Sequence, residues 1–440
     1  MPANGRPPGP TSASLRGRRR AFVDTPTEFL VELQRTFGDV VYFRTGLREN
    51  YLLSHPDHVK DVLVTNHQRF HKGPALADGR LLVGENLFTI EEETHRRHRR
   101  LIQPAFQWDR IKGYGEIMVD EALRMRESFQ DGETRDLSVD MAHLTLGVAV
   151  RALFGTDLPQ ETRARITEFV SVLLGGWFGR GSSRRATIEG SEYQRVLEAT
   201  GAIVDDLVRE RRHDQEGRTD LLSMLLQARD EDGSTFSDRE VRDEIAALIA
   251  AGHETTSNAL TWTWYLLAQN PSAEQRMHEQ VDEVLGDRAP TVEDVDALGY
   301  VSNVFDESLR AIPSIWAIDR SVVADHHVEG YTIPTGAVVF TSPFVAHHDP
   351  RWFPDPERFE PERFEPEQRR TRPRYSYFPF GGGVRMCVGQ PFATLEAVLI
   401  LATIGRRWRF HLAPDQRVEM EALLTLKPKH GMRMVVEQRS

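Results

Sequence analysis

Three short stretches of this 440-residue chain hold side chains whose types and spacing can do chemistry. Cys387, the single cysteine, stands in Phe378-Pro379-Phe380-Gly381-Gly382-Gly383-Val384-Arg385-Met386-Cys387-Val388-Gly389-Gln390. The three glycines make a tight loop, and a helical pattern begins directly after the cysteine. A thiolate there faces backbone N–H groups and a helix N-terminus, which lowers its pKa and limits its electron donation to a metal. Gly389 leaves room for close approach. A lone cysteine is more often a buried structural residue, so its surroundings have to carry the reading. The second stretch is Ala251-Gly252-His253-Glu254-Thr255-Thr256-Ser257, an acid and hydroxyls at mid-helix. The third is His95-Arg96-Arg97-His98-Arg99-Arg100, in which His95 and Arg99 are four apart on one helix face. Two simpler chemistries fail on spacing. His253-Glu254-Thr255-Thr256 begins like the H-E-x-x-H of zinc peptidases, but Ser257 stands where the second histidine belongs. Cys387 as a nucleophile needs a positioned histidine, and none of the 16 is assigned to that role by spacing.

The elements that must position these groups are mostly helices. Ser237 followed by Glu240 is a capping-box signature, and no proline interrupts until Asn270-Pro271, which predicts a helix of about 50 Å at ~1.5 Å per residue. Its centre, Ala247 to Gly252, is apolar and small-residued all round, so it is expected to be buried. Gly252 and a Thr255 hydroxyl competing for the Ala251 carbonyl favour a local opening there. A helical pattern also runs from Thr25 to Phe37, followed by short strands at Val40 to Phe43 and Tyr51 to Ser54. Helical period then dominates from Pro56 to about Gly286. After a helix near Tyr300 to Ala311 come Pro-, His- and Asp-rich loops with short β runs such as Val338 to Thr341, and a last helix follows Cys387. The fold class is mainly α with small β-sheets (α+β), in one domain over residues 25–440 after a flexible, proline-broken arm at 1–24.

Composition bounds the function. With 40% hydrophobic residues the chain buries a large core. A net charge of −11 argues against coating of nucleic acid. One cysteine excludes an intrachain disulfide, a zinc site with several thiolates and an iron–sulfur cluster, and it makes the cytoplasm the expected compartment. No apolar run reaches the ~18 residues of a membrane span, and the N-terminus lacks a signal-peptide core.

Phe380-x-x-Gly383-x-Arg385-x-Cys387-x-Gly389 resembles the haem-binding loop of the cytochrome P450 superfamily, the haem-thiolate monooxygenases. The resemblance extends in family order to His95 to Arg99, Ala251-Gly252-x-Glu254-Thr255-Thr256, Glu307-x-x-Arg310 and Phe359-x-Pro361-Glu362-Arg363-Phe364. It implies a triangular, mostly helical fold holding haem b (iron protoporphyrin IX) between the long helix and the helix after the cysteine. Cys387 is then the axial ligand, whose strong electron donation promotes O–O cleavage. Glu254 and Thr255 become the proton-relaying acid–alcohol pair beside Ala251, on the opposite face of the haem. By the same resemblance His95, Arg99, Arg320 and Arg385 contact the haem propionates, with His95 standing where many relatives carry Trp. Phe380 and Gly389 complete the haem contacts, and Glu307, Arg310 and Arg363 form a buried structural network.

The implied reaction is insertion of one atom of O2 into a mostly apolar small molecule: a terpenoid, steroid, fatty acid or macrolide core. The pocket draws by resemblance on Leu81, Leu82, Val83 and Phe88, on Ala247 and Leu248, on Ile315, Trp316 and Ile318, and on Leu424 and Thr425. Trp177 and Phe178 lie in a glycine-rich stretch read as a lid. No flavin-binding motif occurs, so electrons come from a separate protein, a ferredoxin-type donor with its reductase, steered by Arg96, Arg97 and Arg100 on an otherwise acidic monomer. A peroxide-driven peroxygenase and a non-catalytic haem sensor are the alternatives; the Glu254-Thr255 pair argues against both.

Overall fold

The structure is a computed structural model and describes residues 5–10, 22–74, 76–77, 80, 84–155, 191–213 and 220–439. Leu81, Leu82, Val83, Trp177 and Phe178 lie outside the described residues. The chain divides into two units, one of Met1–Ala77, Asp306–Cys387 and Met420–Lys427, the other of Asp78–Phe305, Val388–Glu419 and Pro428–Ser440.

Unit one is organised by a five-stranded sheet of order β1-β2-β8-β5-β3. Its strands are β1 (Val40–Thr45), β2 (Arg48–Leu53), β3 (Phe70–Lys72), β5 (Ile318–Val322) and β8 (Val338–Thr341). β1 and β2 form a hairpin with Val40 opposite Leu53, and β2 runs parallel to β8. Period-two alternation sorts the hairpin's apolar side chains to two faces. Val41, Phe43 and Leu52 pack with Phe29, Leu30 and Leu33 of helix α1 (Pro26–Phe37). Val40, Tyr51 and Leu53 pack with Phe70, Val322, Val339, Tyr375 and Phe378. The sheet's second face is therefore the floor under the segment that leads into the cysteine loop. Two pairs complete the unit's β structure, β6 (His326–Val328) with β7 (Tyr331–Ile333) and β10 (Met420–Ala422) with β11 (Leu426–Pro428).

Part of the N-terminal arm departs from the flexible reading. Pro7 and Pro10 are buried, the Pro8 carbonyl accepts from Tyr42 N at 2.9 Å, and Arg6 donates to Glu49 at 2.7 Å while lying over the Tyr42 ring. The prolines that suggested a loose tail instead lay apolar, pre-extended backbone along the β1 edge.

Unit two is helical. It contains α2 (Glu92–Ile102), α3 (Gly115–Ser128), α4 (Leu137–Phe154), α5 (Ser191–His213), α6 (Asp238–Gln269), α7 (Pro271–Leu285), the first part of α8 (Gly299–Ala311) and α9 (Gln390–Gly405). α6 packs on α4 and α9 on α3. The predicted capping box is present: the Ser237 hydroxyl accepts from Glu240 N and the Glu240 carboxylate from Ser237 N. β4 (Thr134–Asp136), β9 (Trp408–Leu412) and β12 (Arg433–Gln438) make an antiparallel sheet of order β4-β12-β9. β3 and β4 fall in the stretch read as dominated by helices, because three residues carry too little period to announce a strand that pairs with a distant partner. Among the described residues α4 is long and apolar enough to cross a membrane by length and composition, but 72% of it is buried inside the protein.

Candidate functional site

In unit one the sequence places Cys387 at the end of a loop whose backbone only glycine can follow. Gly381 and Gly383 adopt φ of 72° and 66°, the left-handed region that L side chains avoid. A Cβ on Gly383 would also lie 2.0 Å from the Leu63 carbonyl oxygen. The loop closes on itself: Gly381 N donates to Phe378 O at 2.9 Å, Met386 N to Gly383 O at 3.1 Å, and Cys387 N to Phe380 O at 3.0 Å. Cys387 is exposed, so this loop presents a sulfur outward and does not bury it. Phe380 and Arg385 flank it half-buried. Arg320 is buried on β5, opposite Lys72 of β3, and donates to Asp319 O at 2.9 Å.

The Glu307 network assembles beneath. Arg310 donates to both carboxylate oxygens of Glu307 at 2.7 and 2.8 Å, and both residues are fully buried. Arg363 Nε stands 3.6 Å from the same carboxylate, which also accepts from Glu360 N at 2.9 Å. Burial pushes the Glu307 carboxyl up, and Arg310 leads the groups that pull it back. Arg310 carries the grip further, donating to the carbonyls of His347 and Arg358 at 3.1 and 3.3 Å.

The candidate pocket residues of this unit separate. Ile318 lies 3.5 Å from the Cβ position of Gly381, beside the cysteine loop. Trp316 packs against the apolar cluster under α1 and donates Nε1 to Leu423 O at 2.9 Å, so its ring serves the scaffold. That bond, with Leu426 N donating to Ser314 O at 2.8 Å, brings the Leu424-Thr425 turn alongside the Ile315 segment. Ile315 and Leu424 are half-buried there and Thr425 is buried.

In unit two the reacting candidates are on α6. Leu248, Ala251, Gly252 and Thr255 recur at helical spacing and are all half-exposed, although Ala247, Ile249, His253 and Thr256 around them are buried. A Cβ on Gly252 would meet no atom within 4 Å. The middle of a core helix is thus left open along one apolar stripe that ends in a hydroxyl. Thr255 donates to Ala251 O at 2.6 Å, the contact expected, but the helix continues through it and does not open. Capping, packing on α4 and 32 residues of continuous hydrogen bonding hold it together. Glu254 is half-exposed beside the stripe. His253 is a core residue, 3.1 Å from the Thr145 hydroxyl, and burial depresses its pKa to about 4.

On α2, His95 is buried and Arg99 half-buried on the same face, with Arg99 donating to Gln103 at 3.2 Å. Arg96, Arg97 and Arg100, expected to steer an electron donor, each have an acidic partner. Arg97 donates to Glu240 at 2.9 Å and to Thr235 O at 2.8 Å, and Arg100 makes two bonds to Asp230 at 3.0 and 3.1 Å. Arg96 pairs with Glu93. His98, which had drawn no role, bridges Glu244 at 2.7 Å and Glu240 at 3.3 Å, and Glu244 also accepts from Leu87 N. These bonds tie α2 and the half-buried Phe88 segment to the start of α6. Acids one turn apart at the start of a helix, followed in space by a basic segment, were the available signal.

Comparison with known proteins is consistent across three measures. The sequence matches the family described as Cytochrome P450 over residues 7–434. It is 36% identical to cyclooctatin synthase of Streptomyces melanosporofaciens, covering 98% of this chain and 95% of that protein. It is 32% identical to pentalenene oxygenase of Streptomyces avermitilis, over 98% and 97% of the two chains. The structure superposes on the crystal structure of the cytochrome P450DA heme domain with a TM-score of 0.88, at 27% identity, covering 99% and 98% of the chains.

Proposed function

The chain belongs to the cytochrome P450 family, as a haem monooxygenase with the P450 fold, and from that premise we propose that its substrate is a terpenoid. The observation that carries the substrate class is the full-length similarity to two Streptomyces enzymes named for cyclooctatin and pentalenene. In unit two the apolar stripe of Leu248 and Ala251 suits a hydrocarbon skeleton, and in unit one the side chains of Ile315, Ile318 and Leu424 are apolar as well. Residues 25–440 act as one catalytic domain, which the family match through segments of both units supports.

Haem, when bound through a thiolate, would supply the oxidising chemistry by which one atom of O2 is put into the substrate and the other leaves as water, with two electrons and two protons consumed. The residues present fit such a group. A single exposed sulfur stands at the end of a glycine loop, an open stripe lies beside Gly252, and His95, Arg99, Arg320 and Arg385 offer cations and donors for carboxylates. Cys387 would hold the metal, and the Cys387 N–H to Phe380 O bond sets the backbone that aims its sulfur. Thr255 gives its hydrogen to Ala251 O, and its Oγ1, being a hydroxyl oxygen, is an acceptor as well as a donor and so is chemically able to pass on a proton. Glu254, half-exposed, takes protons up from water. Leu248 and Ala251 exclude water from the oxidised carbon.

A ferredoxin-type protein supplies the electrons, in the cytoplasm. Arg96, Arg97 and Arg100 are all paired, with Glu93, Glu240 and Asp230, and Arg96, the most exposed of the three, is the member of the basic stripe best able to steer it. To test the substrate class, the haem-loaded protein is titrated with sesquiterpenes, diterpenes, fatty acids and macrolide cores. The haem absorption shift is followed, and products are identified with ferredoxin, reductase and reduced nicotinamide. Terpenoids are expected to give both the shift and a product one oxygen heavier. Shifts and products from fatty acids or macrolides alone would overturn the assignment.

A further inference from the structure

His347 ends a short helical turn, Pro343–His347, and is completely buried. Its carbonyl accepts from Arg310 at 3.1 Å, which attaches it to the Glu307 pair. Its ring reaches the other way. Phe378 N donates to His347 Nε2 at 3.0 Å, inside a wall made by Tyr377, Phe378 and Phe353 with ring centroids 4.9, 5.8 and 6.3 Å away. From Phe378 the backbone bonds run on to Gly381, and Phe380 accepts from Cys387.

A backbone N–H can only donate, so Nε2 must carry the lone pair, with the ring hydrogen on Nδ1; an imidazolium would have no acceptor to offer. Complete burial keeps the ring neutral, holding its pKa well below the ordinary value, with His348 and Arg310 acting in the same sense and the Leu309 and Arg310 carbonyls opposing. The glycines at 381–383 have more backbone freedom than any other residues and do not define a path by themselves. The anchor one turn before them has to.

We infer that His347 is a positioning residue for the cysteine loop, its neutral Nε2 clamping the Phe378 amide so that the Glu307–Arg310 pair governs where Cys387 stands. This rests on the reading of Cys387 as the iron ligand. A second tether, Tyr377 OH to Asp306 at 3.0 Å, holds the neighbouring residue but bonds no loop backbone.

The test uses the full-length, haem-loaded protein and three variants: His347→Phe, which keeps an aromatic ring without the acceptor; His347→Gln, whose Oε1 can take the place of Nε2; and Phe353→Leu, which damages the same core without touching the bond. Melting temperature, the reduced carbon monoxide spectrum and haem transfer to apomyoglobin are measured. His347→Phe is expected to lose most of the thiolate-type band and release haem faster by about ten-fold, the scale of one buried hydrogen bond. His347→Gln is expected to recover both, and Phe353→Leu to melt lower with its band intact. Wild-type band and release rate in His347→Phe would overturn the proposal, as would the same spectral loss in Phe353→Leu. If wild type itself lacks the thiolate band, the Cys387 reading fails. In that event, or if His347→Phe does not fold, hydrogen exchange of the wild-type protein decides. Exchange at the Phe378 amide as slow as at Cys387 supports the clamp, and exchange orders of magnitude faster overturns it.

Discussion

Cys387 and Thr255 are held in opposite ways. Thr255 rides on a helix that positions it by local rules: a capping box at one end, a proline at the other and 3.6-residue spacing between. Cys387 rides on a loop with left-handed glycines, packed close to the Leu63 backbone, and the segment leading into it is bonded by His347, which Arg310 ties in turn to the buried Glu307 pair far along the chain. A helix-borne group can lose its side chain while the helix keeps its course. A loop-borne group depends on buried polar partners whose loss is felt by the whole unit.

The sharpest way to break this contrast is on the loop side. Glu307→Ala leaves Arg310 and Arg363 buried and uncompensated, a cost of ~3–5 kcal/mol, and should appear in urea melts together with loss of haem during purification. A melt within 1 kcal/mol of wild type, as an order of magnitude, would show that the network is not the loop's support.

Acid should strain both sides alike. His253 on the helix and His348 on the loop side each have a folded pKa of about 4 against 6.5, lowered first by burial. Because the unfolded chain binds the extra proton, their contribution is complete above pH 6.5 and is lost as pH falls toward 4. At pH 5 it is diminished by about 2 kcal/mol for each ring, from 1.36 kcal/mol per pKa unit. Urea midpoints between pH 7 and 5 measure this, and His348→Phe should flatten roughly its own share of the slope.

Two glycines should respond with opposite sign. Gly383→Ala meets both a φ of 66° and the Leu63 carbonyl, and should destabilise by at least ~1–2 kcal/mol. Gly252→Ala enters open space on a helix and should stabilise the haem-free protein by up to ~1 kcal/mol. Melts with and without haem sharpen the point. If the α6 stripe faces the cofactor, the gain at Gly252 shrinks or reverses once haem is bound.

The smallest structural effect belongs to Thr255→Ala, which removes a bond to Ala251 O that the helix does not require. Stability should change by under about 1 kcal/mol, while product formed per nicotinamide consumed should fall several-fold on the proposal that this hydroxyl relays protons. Unchanged coupling would mean that protons arrive by another route.

The long helix was readable end to end because its signals are local: Ser237 and Glu240 three apart, Pro271 after the last turn, apolar residues at helical period. The cysteine loop was readable as a composition, since three glycines before a lone cysteine announce a tight turn that presents sulfur. Ion pairing within α8 was likewise visible in the spacing of Glu307 and Arg310.

What only the tertiary structure decided is non-local. Three-residue strands such as β3 exist because β5 offers them a partner some 250 residues away, a scale read directly from the pairing of Lys72 with Arg320. Arg97 and Arg100, expected from the sequence to steer a partner, are paired with Glu240 and Asp230, residues some 130 to 140 positions away. The opening expected at Gly252 and Thr255 followed from local competition for a carbonyl, and packing of α6 on α4 overrode it. His347 carried no signal in the sequence because a histidine's role depends on which nitrogen finds which partner, and that partner, the Phe378 amide, is placed only when the loop folds back across it.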